Sequence, residues 1–306
     1  MEEMAMEMTM EKRAVRGGKE MAGAGGAMFS AFLYGLNAFF ASGAYQGGSN
    51  PITFTCFSSF FSMLILLLLM LEQKTPVLPK KNQIVWLLLD GVLGGLTTLF
   101  LFSAFEQIAT GIATVLHFTY PVYVAVAGIW ILKKRLTVGK GAAMALSLAG
   151  IAFTSDFAGS GTRYGMFLAL VSGITYAGYI LVMEKSGLQK TDYLWFSFYM
   201  TGIRGIVALL YGEAVGTMVF TMTGTAWMMT AAHALLNGVA ANILFQFGIR
   251  HIGGTTASLL SMFEPVTCVA VGVMLLGEVM SPVKLFGCGL IMAGILLVVL
   301  EERGKK

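Results

Sequence analysis

Apolar residues in this chain do not recur at the spacing of a surface helix. They run on for about 20 residues, the length that crosses a lipid core, and then give way to short polar breaks. Read at that length, the sequence predicts ten spans, over roughly 23–45, 51–71, 83–105, 110–132, 138–155, 164–184, 193–212, 226–248, 253–276 and 282–300. The breaks leave no room for a soluble domain between spans. "EQKTPVLPKKN" (72–82) is a charged loop with prolines, and "DFAGSGTR" (156–163) is a glycine-bearing one. The fold class expected is an all-α integral membrane protein.

Composition agrees with the pattern. Of the 306 residues, 57% are hydrophobic and 12% charged, half the charge of an ordinary soluble domain. The 38 glycines suit close helix contacts within a bilayer. Cys56, Cys268 and Cys288 lie in apolar runs without CxxC spacing, so they read as small hydrophobes. Neither a metal nor a cofactor is expected. The expected partners are the lipid bilayer, a small-molecule substrate and a coupled proton, with no nucleic acid. Residues 1–22 mix both charge signs and lack the apolar core of a signal peptide, so they form an N-terminal tail; residues 301–306 form a C-terminal one.

Charge placement then sets the orientation. With the N-terminus inside, 17 of the 20 Lys and Arg residues fall on cytoplasmic segments. They include Lys12 and Arg13 in the tail, Lys74, Lys80 and Lys81, Lys133 to Arg135, Lys185 and Lys190, Arg250 and Arg303. Arg163 and Lys284 fall outside, and Arg204 lies within a span. The positive-inside rule therefore predicts a multi-pass protein of the cytoplasmic membrane with both termini in the cytoplasm.

The sequence also repeats itself. At an offset of 144, "TVLHFTYPVYVAVAGIWIL" (114–132) lies over "SLLSMFEPVTCVAVGVMLL" (258–276), and "LAGIAF" (148–153) over "MAGILL" (292–297). At an offset of 142, "SAFLYGLN" (30–37) lies over "SGITYAGY" (172–179). The halves, 23–155 and 164–300, would hold five spans each. Because five is odd, the second copy enters the membrane inverted. Inverted repeats place transporter substrate sites near the bilayer midplane, often on interrupted helices.

Two copies of a five-helix unit, these segments after "IATGIAT" and "IGGTTAS", and "LAGI" and "MAGI" in the closing helices resemble the EamA family of the drug/metabolite transporter superfamily. The resemblance extends over about residues 25–300. It implies a transporter of small molecules, without indicating which. The second unit keeps the family's "GE" at Gly277 and Glu278, whereas the first has Lys133 and Lys134.

Candidate chemistry sits at mid-depth. Pro121 and Pro265 occupy equivalent repeat positions and predict helix kinks that free the carbonyls of His117 and Ser261. Glu264 precedes the second proline near the middle of its span. A charge there costs about 2.5–3.5 kcal/mol on insertion scales, so it must face the interior. It is the candidate for substrate recognition or proton coupling, along with Tyr120 at the equivalent position. Arg204 shares a helical stripe with Ser197 and Thr201 and needs an anion; Glu264, Asp90 and a substrate carboxylate or phosphate are the candidates. Ser30, Tyr34 and Asn37 form one stripe, and Ser172, Tyr176 and Tyr179 its counterpart, suited to an amphipathic organic ligand. His233 and Asn237 share another face, and Asp90 precedes Gly91 and Gly95, a GxxxG contact.

No Walker A, HExxH or GxSxG pattern is present, and no filter-like loop of a channel. The expectation is not an enzyme but a secondary active transporter. It would move a small organic metabolite, an amino acid or similar, by alternating access, as an exporter. Export of lipophilic drug-like compounds is the alternative.

Overall fold

The computed structural model describes all residues except 1, 76–77, 106, 109, 134, 155–161, 276–279 and 305–306. Lys134, Gly277, Glu278 and most of the 156–163 loop therefore lie outside the described residues. Among those described, the chain is all helical. The helices are α1 (Glu2–Gly35), α2 (Asn37–Gln46), α3 (Pro51–Glu72), α4 (Lys81–Phe105), α5 (Thr110–His117), α6 (Tyr120–Leu132) and α7 (Val138–Thr154). There follow α8 (Arg163–Ser186), α9 (Tyr193–Ala214), α10 (Gly224–His233), α11 (Asn242–Leu260), α12 (Glu264–Leu275) and α13 (Pro282–Gly304).

Local chemistry explains where these helices start and stop. Asn50 caps α3, its Oδ1 accepting from the N–H groups of Ile52 and Thr53, and Pro51 follows at the first helical position. Thr162, Asp192 and Thr223 cap α8, α9 and α10 in the same way. Gly187, at φ +77°, closes α8 in the left-handed conformation that only glycine adopts without strain.

Eight described helical runs are long and apolar enough to cross a membrane, and α7 is a shorter apolar helix. One of the eight, Gly224–Leu275, has 52 residues. At 1.5 Å per residue a straight helix of that length would reach about 80 Å, more than twice a lipid core of about 30 Å. It does not stay straight. Gly253 sits at φ 78° and ψ 159°, a region essentially reserved for glycine, and the helix breaks there. Ala234–Ala241, upstream, is wound as a π-helix.

The two prolines mark two further interruptions. The helix stops at His117 and restarts at Tyr120, with Pro121 in the first turn of α6. A 3-10 turn, Ser261–Phe263, separates α11 from α12, where Pro265 is the second residue. The Ser261 carbonyl is not left free as expected. The tighter 3-10 winding lets the N–H of Glu264 donate to it.

Side chains are sorted for lipid. α3 buries Thr53, Ser58, Ser59 and Ser62 and exposes Leu64, Leu68 and Leu71, the reverse of a helix in water. Without a hydrophobic drive between helices in lipid, close backbone approach does the packing. The GxxxG face of α4 meets α9, where a β-carbon on Gly91 would stand 2.7 Å from Ile203 and one on Gly95 2.9 Å from Val207. α7 and α13 cross closer still. A β-carbon on Gly150 would lie 2.5 Å from the carbonyl oxygen of Gly287, and one on Gly287 would lie 2.6 Å from that of Gly150.

Neither backbone can yield without separating the helices. Gly150→Ala should therefore destabilise the protein by about 1–3 kcal/mol, the usual cost of overpacking. Gly289→Ala, with nothing within 4 Å, should be neutral. Thermal unfolding of both variants in detergent checks the contrast.

A central polar cavity as the candidate functional site

The helix interruptions converge on one cavity of about 170 Å³. α1 brings Tyr34, and α2 opens with Asn37 just after the break at Leu36. His117 and Tyr120 stand on either side of the Pro121 interruption, and Glu264 opens α12 at the other. A carboxylate in the first turn of a helix is favoured by the unpaired N–H groups there. α8 contributes Tyr176 and Tyr179, and α9 contributes Arg204. His233, Asn237 and Asn242 come from the end of α10, the π-wound stretch and the start of α11.

One wall is aromatic. Tyr120 and Tyr176 meet edge to face at 4.6 Å between ring centroids, and Tyr179 stacks on Tyr176 at 5.7 Å. His117 lies 5.6 Å from both Tyr120 and Tyr176.

Two serines fix the orientation of this wall. The Ser172 hydroxyl donates to the carbonyl of Ala169 at 2.6 Å, which commits its only proton. The contact of 2.9 Å between His117 Nδ1 and Ser172 must therefore run from an Nδ1–H to the serine oxygen. A neutral His117 then keeps its Nε2 lone pair. Ser261 does the same for Tyr120: it donates to the Ser258 carbonyl at 2.9 Å and so accepts from the Tyr120 hydroxyl.

Elsewhere in the lining, several polar groups have no partner. Asn37 Oδ1, Arg204 Nε, His233 Nδ1, Asn242 Nδ2 and both polar atoms of the Asn237 amide are buried without a hydrogen bond. Native proteins leave few such groups, and each one calls for an explanation. Five residues with orphaned atoms around a single cavity is a concentration that packing alone would not select.

Arg204 forms no ion pair with either expected protein partner. Among the described residues, Glu264 lines the same cavity unpaired, and both Asp90 carboxylate oxygens are buried without a partner. Tyr34 stands within electrostatic reach of both Arg204 and Glu264. A guanidinium and a carboxyl group thus share the cavity without pairing with each other.

Not every predicted residue lines it. Ser197 and Thr201 are buried elsewhere; Ser197 accepts from Gln246 Nε2 at 2.8 Å, and Thr201 donates to the Ser197 carbonyl at 2.8 Å. Ser30 donates to the Ala241 carbonyl at 2.7 Å, and Asp90 lies outside the lining. Thr55, Ser58 and Ser59 on α3 and Thr97 and Thr98 on α4 line the cavity although sequence reading passed over them. Their signal was present: Thr55, Ser58, Ser59 and Ser62 follow helical spacing in an apolar run.

These features define a multi-pass membrane protein with its polar groups gathered around a buried central cavity. The chain belongs to the EamA-like transporter family, which matches it twice, over residues 21–156 and 163–300. It is therefore a membrane transporter. It is 26% identical to an uncharacterized transporter of Synechocystis over 235 residues, 73% of this chain and 69% of that one. It is 23% identical to human solute carrier family 35 member G1, over 60% of this chain and 53% of that one. A crystal structure with 18% identity superposes with a TM-score of 0.77, covering 92% of this chain and 97% of that one, a likeness of fold.

Orphaned polar groups cost stability, so removing one should not. Asn237→Leu is expected to leave the unfolding temperature in detergent unchanged or raised while transport is lost. Ser172→Ala, which strands the Nδ1–H of His117, should instead cost about 1–3 kcal/mol. Paired unfolding and flux measurements on the two variants separate these effects.

Proposed function

We propose that this protein is a secondary active transporter of free amino acids or closely similar zwitterionic metabolites. The single observation that carries the reading is the unpaired Arg204 and Glu264 on one cavity with an aromatic wall between helix interruptions. A guanidinium matches a carboxylate in a two-pronged hydrogen bond. Glu264 matches an ammonium group, and Tyr34, Tyr120, Tyr176 and His117 suit the organic body. The orphaned amides of Asn37 and Asn237 supply further hydrogen bonds that a ligand or water would complete.

The ten-span reading comes with it. Eight long runs become ten crossings when α7 is counted and Gly224–Leu275 is divided at Gly253. Two five-helix halves, 23–155 and 164–300, are supported by the two family matches and by the packing. α1 lies chiefly on α11 and α8 on α4, while α3 pairs with α9 and α7 with α13. A two-fold exchange of halves produces such pairings. Opposite insertion of the halves makes alternating access a rocking of one against the other about the cavity. The basic residues favour cytoplasmic termini in the cytoplasmic membrane.

Counterflow in proteoliposomes tests the substrate. Labelled amino acids should exchange, and their methyl esters, which lack the carboxylate, should not. Arg204→Met should weaken binding by about 2–5 kcal/mol, as expected when one partner of a buried charge pair is truncated. Correctly inserted protein that exchanges no amino acid would sink this reading. The sign of net flux under an imposed gradient reads the direction. For orientation, Ser49→Cys should react with an impermeant thiol reagent from outside intact cells, and Lys190→Cys only after permeabilisation.

A further inference from the structure

Among the described residues, Asp90 is a fully buried acid that the substrate reading leaves unused. Neither of its carboxylate oxygens has a hydrogen-bond partner. Leu87, Asp90, Gly94 and Thr97 follow each other at helical spacing along the buried face of α4. Gly94 and Thr97 line the cavity, so Asp90 lies one turn beyond it on the same face. Beside this step lies Tyr179, within electrostatic reach of Asp90. Its ring comes 3.9 Å from where a β-carbon on Gly94 would be, and it lines the cavity itself.

Among the described residues, the surroundings offer Asp90 no counter-charge. From α8, Tyr179 is the titratable group in electrostatic contact with it, and Tyr179 in turn feels Arg204 and Tyr34. From α9 the neighbours of this stretch are Ile203 and Val207, against Gly91 and Gly95, while Arg204 lines the cavity. α5 brings His117, held by Ser172, and the turn Leu188–Lys190 brings Lys190, which is exposed. Glu72 closes α3 at an exposed end. An ionised carboxylate with no partner is not tolerated in such a place, whereas a protonated one is.

We propose that Asp90 is the proton-binding site of the transport cycle, distinct from the substrate cavity and one helical turn beyond it, beside Tyr179. This rests on the transporter reading above. The arrangement described is the protonated, closed state. Displacement of Tyr179 joins Asp90 to the wet cavity, where the carboxyl releases its proton to water and the carboxylate is solvated. Glu264 stays available for the substrate's cationic end, because it already faces the cavity that holds Arg204. Tyr179 contacts both compartments, so occupancy of one is felt at the other.

The test uses the full chain in proteoliposomes, with a labelled mixture of the standard amino acids and a trapped pH dye. The quantity read is protons moved per substrate exchanged or accumulated. Wild type should move protons with substrate, and Asp90→Asn, which copies the protonated acid, should lose that movement per unit of flux. Infrared difference spectra on a pH jump supply a reading that needs no substrate: in a Glu264→Gln background, which removes the other interior acid, the carbonyl band of a protonated acid should be present and should be lost on adding Asp90→Asn. Proton movement per substrate unchanged in Asp90→Asn, or the acid band retained, overturns the inference. Wild type that exchanges amino acids without moving protons overturns it too, while leaving the transporter reading intact. Absence of amino-acid exchange by wild type fails the substrate reading instead, and the infrared band still decides Asp90.

Discussion

Inside a lipid bilayer a polar group finds its partner within the protein or has none, and the distribution of partners shapes this molecule. Backbone groups are satisfied by helices, whose caps and breaks are supplied by Asn50, Thr162, Asp192 and Gly187. Most buried hydroxyls turn back onto a carbonyl of their own helix, as Ser62, Thr97 and Thr230 do. Five of the residues left over gather in one place: Asn37, Arg204, His233, Asn237 and Asn242 line a single space.

Much of this arrangement was legible in the sequence, for definable reasons. Span positions follow from length alone, because lipid demands long apolar runs. The interruptions at Pro121 and Pro265 follow from the missing N–H of proline. Glu264, Tyr34, Tyr176 and Asn237 could be named because a polar side chain in an apolar run has few reasons to be there. Pairing was not legible. Whether Arg204 met Glu264, Asp90 or nothing depends on distances between helices that no one-dimensional pattern encodes. Ser197 and Thr201 share a stripe with Arg204, yet Gln246 of α11 claims that face one turn away. The π-wound stretch left no trace either, since Ala234–Ala241 reads as ordinary helix former.

The two stretches that match the family are not copies of each other. Tyr120 and Glu264 hold equivalent positions, and so do His117 and Ser261, yet one stretch offers rings there and the other a carboxylate and its serine. The lining is therefore mixed, with tyrosines from both stretches beside a carboxyl, a guanidinium and several amides. Such a lining is consistent with the proposed zwitterionic substrate.

The π-wound stretch sets a geometric condition on all of this. An α-helix turns about 100° per residue, and a π stretch shifts that phase by accommodating residues at a wider winding. Asn237 within it and Asn242 just beyond it reach the same space because the phase is shifted between them. A relaxation to ordinary winding would rotate everything downstream by a fraction of a turn and carry Asn242 off the cavity with no bond broken at the site. The winding of eight residues is thus a register key: the lining exists only while that segment is held slightly out of step with the rest of its helix.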